Sequence, residues 1–566
     1  MNKISLNISE NIYKMFEIFR KSLYLKISML IFLLIGIVHF GWIFDQVLHD
    51  DMWYFHTFAR KSLSSVLEIQ SLIFESPTYR FLHVPLLWFL NIFFGSNGWM
   101  YNFLNIFLHF LNVIILGKII HNKTRSIEIA SLSLIFFALL PTAVTVFGMR
   151  HLFSTVAVLP MLICLYVFQK RGVTLLSAGI GFLVLLIALS IYEAPFPLLA
   201  VFGFLIVSKK DRLRYLLFLS ILSFCYLLPN LIFFPKYKLW CLEQRKLNFL
   251  SVIKFILGPG SFIYICGVFK DRINGLSWGL VDILKIAIST GLACFIWNYA
   301  GIGKITKESA EKGYRNLFFC SVSIILPFII TCVLTGFQTV YLYYVPSFGF
   351  FLLVTSALIL FLRKKVVKKV VFLAMLVIVI LSNMVLLSSQ KMWRDVAKVR
   401  VALFLFLDKY EENIPKKSSI VFVNLPRVWQ IPDFLYNQGW IMQNIIEWKY
   451  DLERKEKTDS HRIIEYYSGV YSADDFSKIF SQSDTIEIDS MSLTEKNKHI
   501  SFSDIYLVGF DNQGFYPVSE VFIYDNDEKN VIKSSDFVSK NLADFRPLHI
   551  VDGKGIREVI YHPSVQ

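Results

Sequence analysis

The chain has 566 residues, 55% of them hydrophobic, 16% aromatic and only 17% charged, with a mean hydropathy of +0.55. Soluble domains carry about 25% charged residues, so this composition excludes a wholly soluble chain. From residue 389 onward there are 22 basic and 27 acidic residues, against 35 and 15 before it. The basic excess therefore lies in the apolar part, which fits loop anchoring at a membrane and excludes a basic nucleic-acid-binding face on the polar tail.

Residues 1–24 are polar, carry Lys3, Lys14, Arg20 and Lys21, and read as a cytoplasmic N-terminal segment. The apolar run that follows is too long for a signal-peptide core and lacks a small-residue cleavage site, so it is expected to be a retained signal anchor. Hydrophobic runs long enough to cross a bilayer recur at 25–44, 98–120, 127–146, 151–169, 173–191, 193–208, 214–234, 281–300, 316–335, 341–362 and 368–388. They predict a multi-pass α-helical membrane domain over 25–388, with about eleven transmembrane helices and interfacial helices in the first outer loop. The run 248–270 is broken by "FILGPGSF", which suits a segment at the interface or one that dips in and out.

Lys and Arg accumulate in short cytoplasmic loops, which decides whether 248–270 crosses. With the N-terminus inside and 248–270 not crossing, "HNKTR", "QKRG", "SKKDRLR", the 301–315 loop and "RKKVVKK" all fall inside. One basic loop, "FPKYKLWCLEQRK", falls outside against the trend. The seven cysteines all lie in or beside the membrane part, without metal-ligand spacing. The tail, 389–566, falls outside. It opens with the amphipathic stretch "WRDVAKVRVALFLFLDKY" and then alternates strand-like pieces ("SSIVFVNLP", "DIYLVGF") with helical ones ("IPDFLYNQGWIMQNIIEWKY"). It reads as an extracytoplasmic α/β soluble domain, and the setting as a bacterial cytoplasmic membrane.

This threading brings several ionisable residues to one membrane face. "FDQVLHDDMWYF" places His49, Asp50 and Asp51 just after the first span. Two adjacent carboxylates there are either a solvated cap or functional groups. A carboxylate beside a low-dielectric boundary suits a general base, and Asp50 with His49 is the candidate pair for a divalent cation, Mg or Mn. Arg80 and His83 open an amphipathic stretch. Asn102, Asn105, His109 and Asn112 share one helical face, where the ordinary role is interhelical hydrogen bonding; Asn102, nearest the outer mouth, is also a candidate substrate contact. Arg150 and His151 sit in a tight outer turn, "FGMRHLF", and an arginine fork suits phosphate. Glu193 in "LSIYEAPFP" is a helix-end charge, a partner for Arg150, or a contact for a hydroxylated substrate. No GxGxxG, Walker loop or GxSxG elbow is present.

These motifs, taken in order, resemble the GT-C glycosyltransferases, and within them bacterial relatives of the transmembrane O-mannosyltransferases that bear tetratricopeptide repeats. "HDD" follows the first span as that family's acidic pair does. "YR" with "LNIFFG" is similar to Y-R-P…L-N-x-x-x-F-G, "MYNFLNIFLHFLN" to G-Y-H-x-x-N-x-x-x-H-x-x-N, and "LLPTAVTVFGMRHL" to H-P…x-S-G-R-x-D-L. "LSIYEAPF" is similar to L-S-K-E-x-x, and "YYVPSFGFFLLV" to L-Y-L-P-S-x-G-F. The resemblance covers about residues 45–360. The chain departs from it at Phe81 (Pro in the family), Asn102 (His), Tyr192 (Lys) and Val340–Tyr341 (an acidic–basic pair), and no tetratricopeptide repeats follow.

The resemblance implies an inverting transfer of a sugar from a polyprenyl-phosphate donor to a glycan or protein hydroxyl on the outer face. Asp51 or Asp50 would be the base, Arg150 the phosphate ligand, and Arg80 and His83 its helpers. Three rival readings stand beside it, one being that the outer tail simply binds a glycan or a partner with the membrane part as scaffold. A lipid-linked glycan polymerase or ligase would place its large functional loop late in the chain. A transporter or flippase would show paired half-sequences and interrupted helices, and no such symmetry is visible.

Overall fold

The computed structural model describes residues 22–41, 43, 63–64, 67, 80–94, 98–140, 149–192, 195–233, 279–335, 344–362 and 367–410, and strand residues 419–423, 468–471, 485–488, 498–501, 505–511, 514–525, 528–532 and 546–551. The chain divides into two compact units, one of Met1–Asp45 with Leu67–Gln390 and one of Gln46–Val66 with Lys391–Gln566.

The described part of the first unit is helical. Its helices are α1 (Leu23–His39), α2 (His83–Phe94), α3 (Gly98–Thr124), α4 (Ile127–Ala138), α5 (Met149–Arg171), α6 (Leu175–Ile191), α7 (Arg212–Phe233), α8 (Leu280–Tyr299), α9 (Lys307–Thr335), α10 (Tyr344–Leu362) and α11 (Lys368–Tyr410), the last running on into the second unit. Local chemistry sets several boundaries. The Ser22 hydroxyl accepts from Leu25 N–H at the start of α1, and the Ser126 hydroxyl accepts from Ile129 N–H at the start of α4. Between α5 and α6 the chain reverses through Gly172 at φ +78°, and Thr174 with Ser177 closes a capping box.

Among the described residues, five helices are long and apolar enough to cross a membrane: 99–124, 280–304, 307–330, 344–362 and 368–388. Leucines such as Leu175, Leu176, Leu213 and Leu217 point outward, as a lipid solvent permits. Small residues bring helices close. Gly349 lies where a Cβ would come within 2.6 Å of Ile325, and Ser321 donates to the Gly349 carbonyl at 2.8 Å, joining α9 to α10.

Two expected segments come out differently. In the 127–146 segment α4 ends at Ala138, and Pro141 disfavours helical backbone at Leu140; 141–148 lie outside the described residues. The expected 193–208 helix is shorter: after a turn at Pro195–Phe196 the chain is helical over 197–206, with a π-helical stretch at Leu199–Gly203. The amphipathic "WRDVAKVRVALFLFLDKY" forms the C-terminal part of α11 without a break.

Side-chain bonds sort the first unit into two ends. At one end, Asn122 donates to Gln169 (3.0 Å), Lys123 to the Leu205 carbonyl (2.7 Å), Asn316 to the Lys123 carbonyl (3.3 Å) and Lys368 to the Gly303 carbonyl (2.6 Å). At the other end, Tyr226 donates to the Leu189 carbonyl (3.2 Å), Gln390 bonds the His39 ring (3.2 Å) and Lys285 donates to the Phe40 carbonyl. α3 and α5 run parallel, because Asn105 pairs with Thr155 and Asn122 with Gln169. Their starts, Gly98 and Met149, therefore share this second end.

In the second unit the strands are β1 (Ser419–Val423), β2 (Ser468–Tyr471), β3 (Thr485–Ile488), β4 (Lys498–Ser501), β5 (Ile505–Asp511), β6 (Gly514–Asp525), β7 (Glu528–Ile532) and β8 (Arg546–Val551). A mixed sheet runs β2-β1-β5-β6-β7, with β8 also on β6, and β3–β4 form a separate pair. β1 is parallel to both neighbours, and Ile420, Val421 and Phe422 are fully buried, as a strand covered on both faces requires. Phe515 packs against Phe422 and Phe406. The expected helix "IPDFLYNQGWIMQNIIEWKY" lies outside the described residues.

Candidate functional site

The best-defined polar constellation gathers where α2, α3, α5 and α6 share the second end of the helical unit. Arg80 precedes α2 in a left-handed conformation, φ +49°, which costs a side-chain-bearing residue energy unless the surroundings hold it. They do. Leu82 N–H donates to the Ser190 carbonyl (2.9 Å), and His83 N–H returns to the Arg80 carbonyl (2.8 Å). The His83 ring places Nδ1 3.1 Å from the Ile191 carbonyl; a carbonyl only accepts, so Nδ1 carries the proton. The last turn of α6 thus has two of its otherwise unpaired carbonyls satisfied by the segment that opens α2. The Arg80 guanidinium then sits 4.7 Å from the centre of the Tyr192 ring, and Tyr192 itself is buried.

The polar face of α3 turns inward. Asn102, Asn105, His109 and Asn112 are all buried. Asn105 accepts from the Thr155 hydroxyl (2.8 Å), and Asn112 donates to the Thr155 carbonyl (3.0 Å) and to the Tyr344 hydroxyl (3.3 Å). That hydroxyl also meets His109 Nδ1 at 3.0 Å. The phenol oxygen of Tyr344 is thus shared between Asn112 and the His109 ring. For Asn105, His109 and Asn112 the interhelical hydrogen-bonding role holds: they tie α3 to α5 and α10.

The sequence-derived candidates divide in three. Arg80 and His83 are brought together with Tyr192, and Asn102 is buried one turn from Asn105. Arg150 and His151 lie in the first turn of α5, at the same end of the unit, with their side chains outside the described residues. His49, Asp50, Asp51 and Glu193 also lie outside the described residues. Among the described residues, no group of three His, Cys, Asp or Glu side chains could hold a metal ion.

Sequence reasoning missed two groups. Tyr344 carries the α10 side of the network, and only its motif "YYVPSFGF" marked it. His39 at the end of α1, Lys285 in the second turn of α8 and Gln390 midway along α11, all buried, tie these three helices together, and isolated polar residues give no periodic signal. Compared with models of known families, with curated proteins and with solved structures, the sequence has no match.

Proposed function

We propose that the chain is an inverting, membrane-integral glycosyltransferase of GT-C type. It takes a sugar from a polyprenyl-phosphate carrier and passes it to a glycan or protein hydroxyl at the outer membrane face. The observation that carries the reading is the convergence at one end of the helical unit. Arg80, His83 and Tyr192 are joined there by hydrogen bonds and a cation–ring contact, and the first turn of α5, with Arg150, begins at that same end. The finer architecture belongs to the same proposal: about eleven transmembrane helices, an extracytoplasmic α/β tail and a bacterial cytoplasmic membrane. The basic runs "HNKTR", "QKRG" and "RKKVVKK" adjoin the opposite end of the bundle, which supports placing the candidate site outside.

In this mechanism Asp51 or Asp50 takes the proton of the acceptor hydroxyl. The hydroxyl oxygen attacks the anomeric carbon as the bond to the carrier phosphate breaks, and the phosphate leaves with the bonding pair. Negative charge grows on that phosphate, and a preplaced guanidinium stabilises it more in the transition state than in the ground state. Phosphate is already a good leaving group, so no general acid is required.

The test is transfer from a panel of radiolabelled polyprenyl-phosphate sugars in membranes, comparing the natural chain with Asp50→Asn, Asp51→Asn and Arg150→Ala at matched expression. Loss of transfer in one Asp variant and in Arg150→Ala is expected, and names the base. Transfer that survives all three changes refutes the site. No transfer from any donor in the natural chain refutes the reaction and favours a polymerase, ligase or transporter.

A further inference from the structure

At the end of the helical unit opposite the candidate site, Lys118 lies inside the apolar span 99–124 and not in the loop beyond it. At 1.5 Å per residue, its Cα is about 9 Å short of the span's end at Thr124. A charge at that depth is costly and marks a functional position by default. Its surroundings place it without neutralising it. The ammonium lies 4.5 Å from the centre of the Tyr24 ring on α1. That ring is itself fixed: it is buried, its hydroxyl donates to the Ile114 carbonyl, and it stacks on His121 with centroids 5.8 Å apart. On the other flank of α3, Gln169 of α5 donates to the Ile119 carbonyl. The next residue, Lys170, is near enough for its charge to repel that of Lys118. Among the described residues, no carboxylate pairs with either lysine. Two cations held together in this way are completed by an anion.

The kind of anion follows from what precedes Lys118 along α3. Phe107, Phe110 and Ile114 come before it at spacings of three and four, so the four residues share one helical face. Phe107 is exposed, Phe110 and Ile114 are half-buried, and the exposed Phe32 of α1 meets Phe110 edge-on at 4.9 Å. From Lys118 to Phe107 this strip rises about 16 Å, close to half of a bilayer core of about 30 Å. An anion carrying apolar chains one leaflet long fits both parts; free phosphate would use none of the strip.

We infer that Lys118 and Lys170, with the apolar strip from Ile114 to Phe107, form a binding site for an anionic glycerophospholipid of the leaflet at that end, Tyr24 holding the Lys118 ammonium in place. On the orientation proposed above, this is the cytoplasmic leaflet. The site stands apart from the candidate active site and rests on the membrane setting alone, not on the transferase reading.

The test measures lipid binding to the purified full chain in a neutral detergent, by native mass spectrometry and by titration. The probes are phosphatidylglycerol, phosphatidylcholine with the same acyl chains, undecaprenyl phosphate and inorganic phosphate. The variants are Lys118→Gln, Lys118→Arg, Lys170→Gln and the double Gln variant, each with its thermal stability measured. Lys210→Gln serves as the control, an exposed lysine at the same end outside the site. Each Gln change in the site is expected to weaken phosphatidylglycerol binding about fivefold, and the pair about twenty-five-fold. Lys118→Arg keeps a cation that can lie on the Tyr24 ring, and is expected to bind within about twofold of the natural chain. Lys210→Gln is expected to bind like the natural chain. Phosphatidylcholine, with no net charge, should bind more weakly and equally to all variants. Lys170 is exposed, so Lys170→Gln carries the test alone if Lys118→Gln lowers stability.

Phosphatidylglycerol affinity that is unchanged in the double variant or in Lys170→Gln overturns the inference. So does an equal loss in Lys210→Gln, which would assign the binding to general positive charge. Equal affinity for phosphatidylcholine overturns the requirement for an anion, and inorganic phosphate competing as well as phosphatidylglycerol overturns the lipid assignment. Undecaprenyl phosphate binding more tightly than phosphatidylglycerol overturns the glycerophospholipid assignment in favour of an isoprenoid. Sugar transfer is not among the readouts, so failure here leaves the proposed function standing, and failure of the transfer assay leaves this site standing.

Discussion

Removing a single oxygen atom, by Tyr344→Phe, tests whether α3, α5 and α10 are held by the network drawn above. The Tyr344 hydroxyl meets His109 Nδ1 at 3.0 Å and accepts from Asn112 Nδ2 at 3.3 Å, all three side chains being buried. Asn112 keeps its bond to the Thr155 carbonyl at 3.0 Å, so the loss there is partial. His109 Nδ1 is left stranded. Interhelical hydrogen bonds in membrane proteins average about 0.6 kcal/mol and reach about 1.7, and a stranded buried polar atom costs about 1–3 kcal/mol. The expected cost is therefore about 1–2 kcal/mol, read as a fall of about 2–6 °C in the apparent melting temperature of the detergent-solubilised chain. The decisive arm repeats Tyr344→Phe in a His109→Leu background, where no ring nitrogen remains to be stranded. There the cost should shrink by about 0.5–1.5 kcal/mol. An equal loss in both backgrounds would refute the hydrogen-bond reasoning and assign the effect to packing alone.

Three further outcomes follow from the geometry. Gly203→Ala places a Cβ 2.6 Å from Cζ of the fully buried Tyr215, and closer still to the hydroxyl that donates to Leu199, so it should destabilise the helical unit by about 2–4 kcal/mol in the same assay. Gly509→Ala does the same to the sheet, where the Tyr516 hydroxyl oxygen would lie 2.6 Å from the new methyl; increased proteolysis of the C-terminal unit is the expected readout. In a cysteine-free background, Phe81→Cys should react with a membrane-impermeant maleimide on intact cells and Gly303→Cys only after lysis. The reverse pattern would invert the proposed orientation.

The helices were legible as long apolar runs separated by short polar loops, and the structure adds the chemistry at several boundaries: Ser22 before α1, Ser126 before α4, Gly172 and Thr174 between α5 and α6. Where the reading overshot, local chemistry overruled hydropathy. α4 ends at Ala138, ahead of Pro141, and Pro195 and Pro197 precede the π-helical stretch. Strands β1 and β5 were visible as continuous β-branched and aromatic runs, but their parallel pairing was not, since nothing in "SSIVFVNLP" specifies its neighbour. The spacing of Asn105, His109 and Asn112 revealed a shared face, and Thr155 and Tyr344 stayed hidden because a helical period cannot identify residues far along the chain. The contact of Arg80 with Tyr192 was hidden for the same reason. Each motif marked a candidate, and neither pointed to the other.

The lock between α3 and α10 also sets a timetable for biosynthesis. Asn112 and Tyr344 are 232 residues apart in the chain. At about 5–20 residues per second, the ribosome needs roughly 10–50 s to make that interval. Throughout it, α3 has already been made, with Asn112 able to bond Thr155 but with the His109 Nδ1 side of the network still waiting for a phenol that has not been synthesised. A chain halted before Tyr344 would lack that phenol altogether, a mark by which membrane quality control could tell an unfinished copy from a finished one.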